Sequence, residues 1–233
     1  MFERLRQAFS RRPPSDGAAD PVAHWATEHF LHHQVVGAHQ FVLSGRLHDR
    51  AFQAECHPAS RAYMEGLELR ARVDLGLPPA GHVIVMSRAL KGALDALADR
   101  IYRDAVDAVR TTKEDLPEEV RWLSMYRPVQ WQGVDERFWR HYTVLTDSAE
   151  LARRWLDTDA LDYLMAGDGS AAAQVPVLVM LRRGRCYLRL QVNPHAQGAD
   201  AVLALELLDH LCEVALALAT RSGALDDSFS NPG

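Results

Sequence analysis

The chain has 233 residues, of which 48% are hydrophobic and 24% charged, proportions typical of a globular protein with a sizeable core. Its formal net charge of −5 argues against a general nucleic-acid binder, because such proteins carry a basic surface. Cys56, Cys186 and Cys212 are widely spaced and form no CxxC pair, which favours a reducing compartment and indicates neither a disulfide framework nor a zinc site.

Residues 1–12 form a basic segment with four arginines and one glutamate, whereas the rest of the chain is acidic. On a helix, the large apolar side chains of this segment share one face and the arginines lie mostly elsewhere. Such a pattern is typical of a segment that docks on a partner or on a membrane surface. The alternative is a disordered start that arginine keeps soluble. The side chains that would make the contact are Phe2, Leu5, Phe9, Arg4 and Arg6.

The first half of the chain predicts a helix, a run of strands and a second helix. Asp20 followed by Pro21 is a helix-start signal, and the strict alternation over 66–75 is typical of a half-buried antiparallel strand. The predicted elements are a helix over 21–33, a hairpin of strands 40–47 and 51–56, strands over 66–75 and 82–86, and a helix over 88–109 that Ser87 caps.

The second half begins with the stretch 115–131, which predicts one helical turn and then an edge strand, because Pro128 would break a helix. Further on, Arg183-Gly184 between two apolar runs predicts a tight hairpin. The remaining predicted elements are a strand over 138–145, helices ending near 156 and 166, hairpin strands over 175–181 and 186–192, and a long helix over 199–221.

Together these elements predict an α+β fold, in which antiparallel strands and hairpins combine with two long amphipathic helices. The predicted organisation is a basic N-terminal segment and linker over 1–19, an α+β domain over 20–221 and a flexible tail over 222–233. The order of the elements suggests two similar halves, 20–112 and 113–221. The broad apolar face of the last helix either packs internally or forms the seam of a homodimer.

Three histidines lie near the end of the first predicted helix. His29 and His33 stand four residues apart with His32 beside them, and two ligands at this spacing on one helical face suit a zinc or iron site. However, the HExxH order is absent, and no second cluster of acids or histidines lies at a matching distance. The competing hypothesis is a solvated helix end, so we assign no metal and keep the three histidines as candidates.

The sequence contains no nucleophile elbow, no dinucleotide-binding glycine motif and no phosphate-binding loop. We therefore assign no catalytic residue and no cofactor. A tryptophan-rich stretch with interleaved arginines offers a different kind of site, because such mixtures occur at binding surfaces. Within it, Trp122 and Trp131 are candidates for a groove or an interface, whereas Trp139 and Trp155 are expected in the core.

The stretch Phe138–Met165 reads FWRHYTVLTDSAELARRWLDTDALDYLM, and the hairpin VLVMLRRGRCYLRL follows it. Together with FVLSGRLHDRAFQAEC in the first half, this pattern of hydrophobic and polar residues resembles uncharacterised bacterial α+β domains of membrane-associated proteins. Those relatives usually carry transmembrane helices ahead of the domain, whereas this chain has only the basic segment. The resemblance implies a bacterial protein with a membrane connection, and it supplies no functional residue.

From these observations we predict a non-enzymatic interaction module that binds a protein partner or a membrane surface. It would be cytoplasmic, and peripheral to the inner membrane if the basic segment binds lipid. The alternative is a small enzyme or small-molecule-binding protein with a cleft beside the hairpins. In that case Arg70, Arg72, His141 or Arg189 would supply the polar contacts, and a pocket that joins several of these charges would favour the alternative.

Overall fold

A computed structural model describes residues 20–78, 81–107, 118–166, 175–193 and 198–229. The basic segment lies outside the described residues, so the docking role of Phe2, Leu5, Phe9, Arg4 and Arg6 stays a prediction. Within the described ranges, no helix combines the length and the apolar character that spanning a membrane requires.

The described residues form seven helices and nine strands. The helices are α1 (Pro21–Glu28), α2 (Arg88–Asp107), α3 (Glu118–Met125), α4 (Glu136–His141), α5 (Ala149–Trp155), α6 (Thr158–Met165) and α7 (Ala199–Phe229). The strands are β1 (His32–Gly37), β2 (Gln40–Leu47), β3 (Arg50–Pro58), β4 (Leu67–Asp74), β5 (His82–Ser87), β6 (Arg127–Val129), β7 (Tyr142–Thr146), β8 (Val177–Arg182) and β9 (Arg185–Val192).

These nine strands join one antiparallel sheet in the order β1-β2-β3-β4-β9-β8-β5-β7-β6. The predicted α+β class is confirmed, and the two long helices are α2, with 20 residues, and α7, with 31. Strand β5 lies between β7 and β8, so strands from both suggested halves belong to the same sheet. Among the described strands, β1 forms one edge of the sheet and β6 forms the other.

The two faces of the sheet carry different layers. Helices α1, α4, α5, α6 and α7 pack on one face of the sheet and form the larger core with it, which includes Trp25, Phe138 and Trp155. Helices α2 and α3 cover the opposite face only over β5, β7 and β8, where Ile84 and Leu145 belong to a smaller core. The part of this second face that β3, β4 and β9 form therefore stays outside both cores.

Strand β4 shows how its sequence produces this arrangement. Leu69, Ala71 and Val73 are buried in the larger core, while Arg70 and Arg72, which alternate with them, point to the other face. Both predicted hairpins are confirmed by backbone geometry. His48 and Asp49 have φ of 48° and 59°, and the corresponding pair of the second hairpin also has positive φ, the geometry that two-residue hairpin turns need.

Two predictions are wrong: the end of the first helix and the strand predicted from Phe138. The first helix ends at Glu28 instead of near 33, because Phe30 takes the left-handed φ of 55° and the chain then enters β1 at His32. The aromatic stretch from Phe138 begins as helix α4, because the side chain of Asp135 accepts a hydrogen bond from the backbone N–H of Arg137 and caps it. Aromatic residues had favoured a strand there.

Two boundaries also differ from the prediction. Helix α3 has eight residues instead of a single turn, and the predicted edge strand shrinks to three residues around Pro128. Proline has no N–H to give to a ladder, which is consistent with its place at the sheet edge. Helix α7 continues past the predicted end at Arg221 and reaches Phe229, so the expected tail is helical up to that residue.

Candidate functional site

Polar side chains occupy the part of the second sheet face that no described helix of the two cores covers, in rows that cross three neighbouring strands. Arg70 of β4 lies opposite Glu55 of β3 on one side and Arg189 of β9 on the other. The next row carries Gln53, Arg72 and Tyr187 in the same strand order. Because directly opposite side chains lie close together, the register gathers arginines that are more than a hundred residues apart in sequence.

A pocket of about 260 Å³ lies where this polar face meets helix α3. Three of the four residues that we expected in a cleft beside the hairpins line it, while His141, at the end of α4, does not. Its lining includes Arg61, Arg70, Arg72, Glu119, Trp122 and Arg189.

At the floor of the pocket, one arginine joins two buried carboxylates. The Nε of Arg189 lies 2.9 Å from an oxygen of Glu68, and its Nη1 donates a 2.7 Å hydrogen bond to Oε1 of Glu119. The side chains of Glu68 and Glu119 are 0% and 2% exposed. Charges removed from water to this extent need partners, so the three side chains hold one another in place.

The connection between β3 and β4 supplies further partners for this network. The hydroxyl of Tyr63 donates to Oε1 of Glu119 at 2.8 Å and accepts from Nη1 of Arg189 at 2.9 Å. Burial, together with the charge of Glu119, raises the pKa of Tyr63 well above its usual value. Tyr63 is thus held as a neutral hydrogen-bond donor. The backbone N–H and the hydroxyl of Ser60 both donate to Oε2 of Glu68 at 2.9 Å.

Several polar atoms at the pocket have no hydrogen-bond partner within the described part of the chain. They include the buried Oε2 of Glu119 and the buried Nε of Arg70. Arg70 uses its Nη2 to pair with Glu55 at 2.7 Å. The guanidinium of Arg182 pairs with Glu118 and stacks over the ring of Trp122 at 5.3 Å. The pocket therefore combines charged side chains held in fixed positions with an aromatic ring, a combination that is suited to binding a ligand.

A second exposed feature lies at the β1 edge of the sheet. Of the four large hydrophobic residues that are exposed in the described ranges, three belong to this edge and its approach: Phe30 at 95%, Val35 at 48% and Val36 at 48%. The fourth, Met125, lies elsewhere. Strand β1 pairs only with β2 among the described strands, and its sequence HHQVVG contains no charged gatekeeper or proline.

The two tryptophan candidates have different surroundings. Trp122 is buried in the smaller core and lines the pocket, so it belongs to a groove but is not an exposed interface residue. Trp131 is half-buried and packs edge-to-face on Trp139, with ring centroids 5.1 Å apart. Trp155 is in the core as expected, and its indole N–H donates to the backbone oxygen of Leu211 at 3.0 Å.

The structure does not bring the three histidine candidates together. His29 caps the end of α1 and lies 3.8 Å from Asp209, so the assumed helical pairing with His33 does not exist. His32 and His33 are neighbours on β1 and therefore point to opposite faces. Burial lowers the pKa of His33 against the opposing effect of Asp20. No group of three metal-ligating side chains occurs in the described ranges.

The residues that organise the pocket carry no recognisable signal in the sequence. Glu68 alternates with apolar residues on β4 and is typical of a solvated strand face, and Glu119 is one of two acids in the first turn of a helix, where acids are common. Neither pattern signals burial. The exposed Phe30 was also missed, because it was assigned to the interior of a helix.

Comparisons with known proteins give one structural neighbour. The sequence matches no protein-family model and no curated protein. Among solved structures, the crystal structure of the mycobacterial trehalose monomycolate transport factor A, TtfA, is similar to 82% of this chain and 90% of its own, with 10% sequence identity and a TM-score of 0.41. A similarity of this strength assigns neither a family nor a function.

Proposed function

We propose that this protein is a non-enzymatic interaction module that binds an extended segment of a partner protein at the β1 edge. The observation that carries the proposal is the concentration of exposed hydrophobic side chains, Phe30, Val35 and Val36, along a sheet edge that no other described strand covers. An edge strand offers a row of free backbone N–H and C=O groups, and an added strand satisfies them.

The chemistry of the edge defines the kind of partner. Strand β1 carries no formal charge apart from what its histidines acquire on protonation, so an apolar extended segment fits better than a charged one. The opposite edge of the sheet is a poor template in comparison, because β6 has only three residues and one of them is Pro128. We therefore place the partner at one edge only.

Phe30 supports a functional interpretation because it is unfavourable for the isolated fold. Its side chain is 95% exposed and its backbone has a φ of 55°, a conformation that costs a non-glycine residue about 1–3 kcal/mol. We expect Phe30→Gly to be at least as stable as the wild type, since glycine tolerates this φ. The same variant loses an aromatic contact with the partner, so weaker binding could not be attributed to unfolding.

Site-specific photo-crosslinking in cells tests the proposal. A benzophenone side chain at position 30 should yield a discrete protein adduct, which Val36→Lys in the same chain should abolish. The matched control is the same crosslinker at Met125, which is also an exposed hydrophobic residue, at 67%, but lies on α3. Equal adducts from both positions, an adduct that survives Val36→Lys, or adducts with lipid alone would refute the proposal.

A further inference from the structure

The pocket on the sheet face that β3, β4 and β9 form lies apart from the β1 edge. Each acidic side chain that lines the pocket already pairs with an arginine of the same chain. Glu55 pairs with Arg70, Glu118 pairs with Arg182, and the buried Glu119 contacts both Arg189 and, at 3.4 Å, Arg61. The carboxylates are therefore neutralised from within the fold and present little net negative charge to an incoming ligand.

One cation of the pocket is left over after this pairing. Arg72 lines the pocket, is exposed, and has no hydrogen-bond or ion-pair partner among the described residues. Its cross-strand neighbours are Gln53 and Tyr187, neither of which is an aspartate or a glutamate. Beside it, Arg70 keeps a buried Nε without a partner. The pocket thus has unused guanidinium donors, and these groups bind oxyanions in bidentate fashion.

The wall opposite the arginines is apolar. In the row that contains Arg72, the next strands contribute Tyr187 and then Met180. In the neighbouring row the corresponding position is Leu178, and the ring of Trp122 closes the pocket from α3. Adjacent strands lie about 4.8 Å apart, so roughly 10 Å separates the β4 arginines from the β8 side chains. The aromatic ring of Tyr187 lies between the two.

From this arrangement we propose that the pocket binds a small soluble organic anion, whose phosphate or carboxylate contacts Arg72 and whose apolar body lies over Tyr187 against Met180 and Trp122. The volume of about 260 Å³ is slightly below the usual range for ligand pockets, which restricts the ligand to a compact molecule. The fixed Arg189 network beneath keeps the floor rigid, so the site exists before the ligand arrives.

Calorimetric titration of the full chain tests this assignment with three probes: phenyl phosphate, inorganic phosphate and benzylamine. We expect phenyl phosphate to bind, inorganic phosphate to bind at least tenfold more weakly because it lacks the apolar body, and benzylamine not to bind. Added salt should weaken the binding. No binding of phenyl phosphate, or equal binding of the cationic probe, would overturn the proposal.

Two variants connect the binding to this pocket. Arg72→Gln should weaken phenyl phosphate binding tenfold or more, since a charged hydrogen bond is lost, while the melting temperature stays unchanged. Arg46→Gln is the matched control, because Arg46 is exposed on β2 and does not line the pocket. Equal effects of the two variants would overturn the assignment, as would Arg72-dependent flotation with anionic vesicles in the absence of phenyl phosphate binding.

Discussion

Replacing Arg189 by methionine removes the cation that both buried carboxylates contact. Glu68 is 0% exposed and Glu119 is 2% exposed, so neither can recover its charge stabilisation from water. Breaking a buried pair in this way typically costs about 3–5 kcal/mol. For a chain of this size, that loss lowers the melting temperature by roughly 6–20 °C. Urea and thermal unfolding, followed by circular dichroism, measure both quantities.

The control is the same substitution at Arg185, on the same strand. Arg185 pairs with Asp74 at 2.9 Å, but both side chains are 44% exposed, and surface pairs of this kind contribute little to stability because water and salt screen them. Replacing both glutamates by leucine in the Arg189→Met background should recover part of the lost stability, because no buried charge then remains, although Ser60 and Tyr63 lose their acceptors. If the free energy of unfolding of Arg189→Met lies within about 1 kcal/mol of the wild-type value, the account of a buried network is refuted.

Two further predictions concern the sheet and its turns. Burial raises the pKa of the Cys56 thiol to about 11 from a usual 9.0, so the fold favours the neutral form. Loss of this preference should lower the free energy of unfolding by about 2–3 kcal/mol between pH 9 and 11, in addition to the falls that Cys212 and Tyr63 contribute, because burial raises the pKa of those two groups as well. Urea titrations at several pH values measure this fall, and an equally steep fall in Cys56→Ala would contradict the assignment. Gly184→Ala should cost roughly 2–4 kcal/mol, because φ is 70° and the new Cβ would lie 2.0 Å from the backbone oxygen of Leu77. The control is Gly92→Ala in α2, where the new Cβ meets no atom within 4 Å. This variant should stabilise the protein by about 0.5–1 kcal/mol in the same unfolding assay. A Gly184→Ala variant as stable as the wild type would contradict the prediction, because it would show that the hairpin turn can move away from Leu77.

The alternation of β4 and the turn residues of both hairpins could be interpreted from the sequence, because each depends on interactions within a few residues. The apolar stripes of α2 and α7 belong to the same class of signal. Strand β1 was missed because the helix-start signal at Asp20 says nothing about where the helix ends. The end depends on Phe30 adopting a left-handed backbone conformation, which its side chain does not favour.

The sequence by itself determined the α+β class, the antiparallel hairpins and the absence of a recognisable catalytic motif, since these follow from local periodicity and residue type. Only the tertiary structure decided that β9 lies beside β4, which sets Arg189 next to Arg70 and over the buried Glu68. It also decided that α3 brings Glu119 and Trp122 to the same place. Contacts between segments so far apart depend on how strands are ordered in the sheet, and no local pattern along the chain encodes that order.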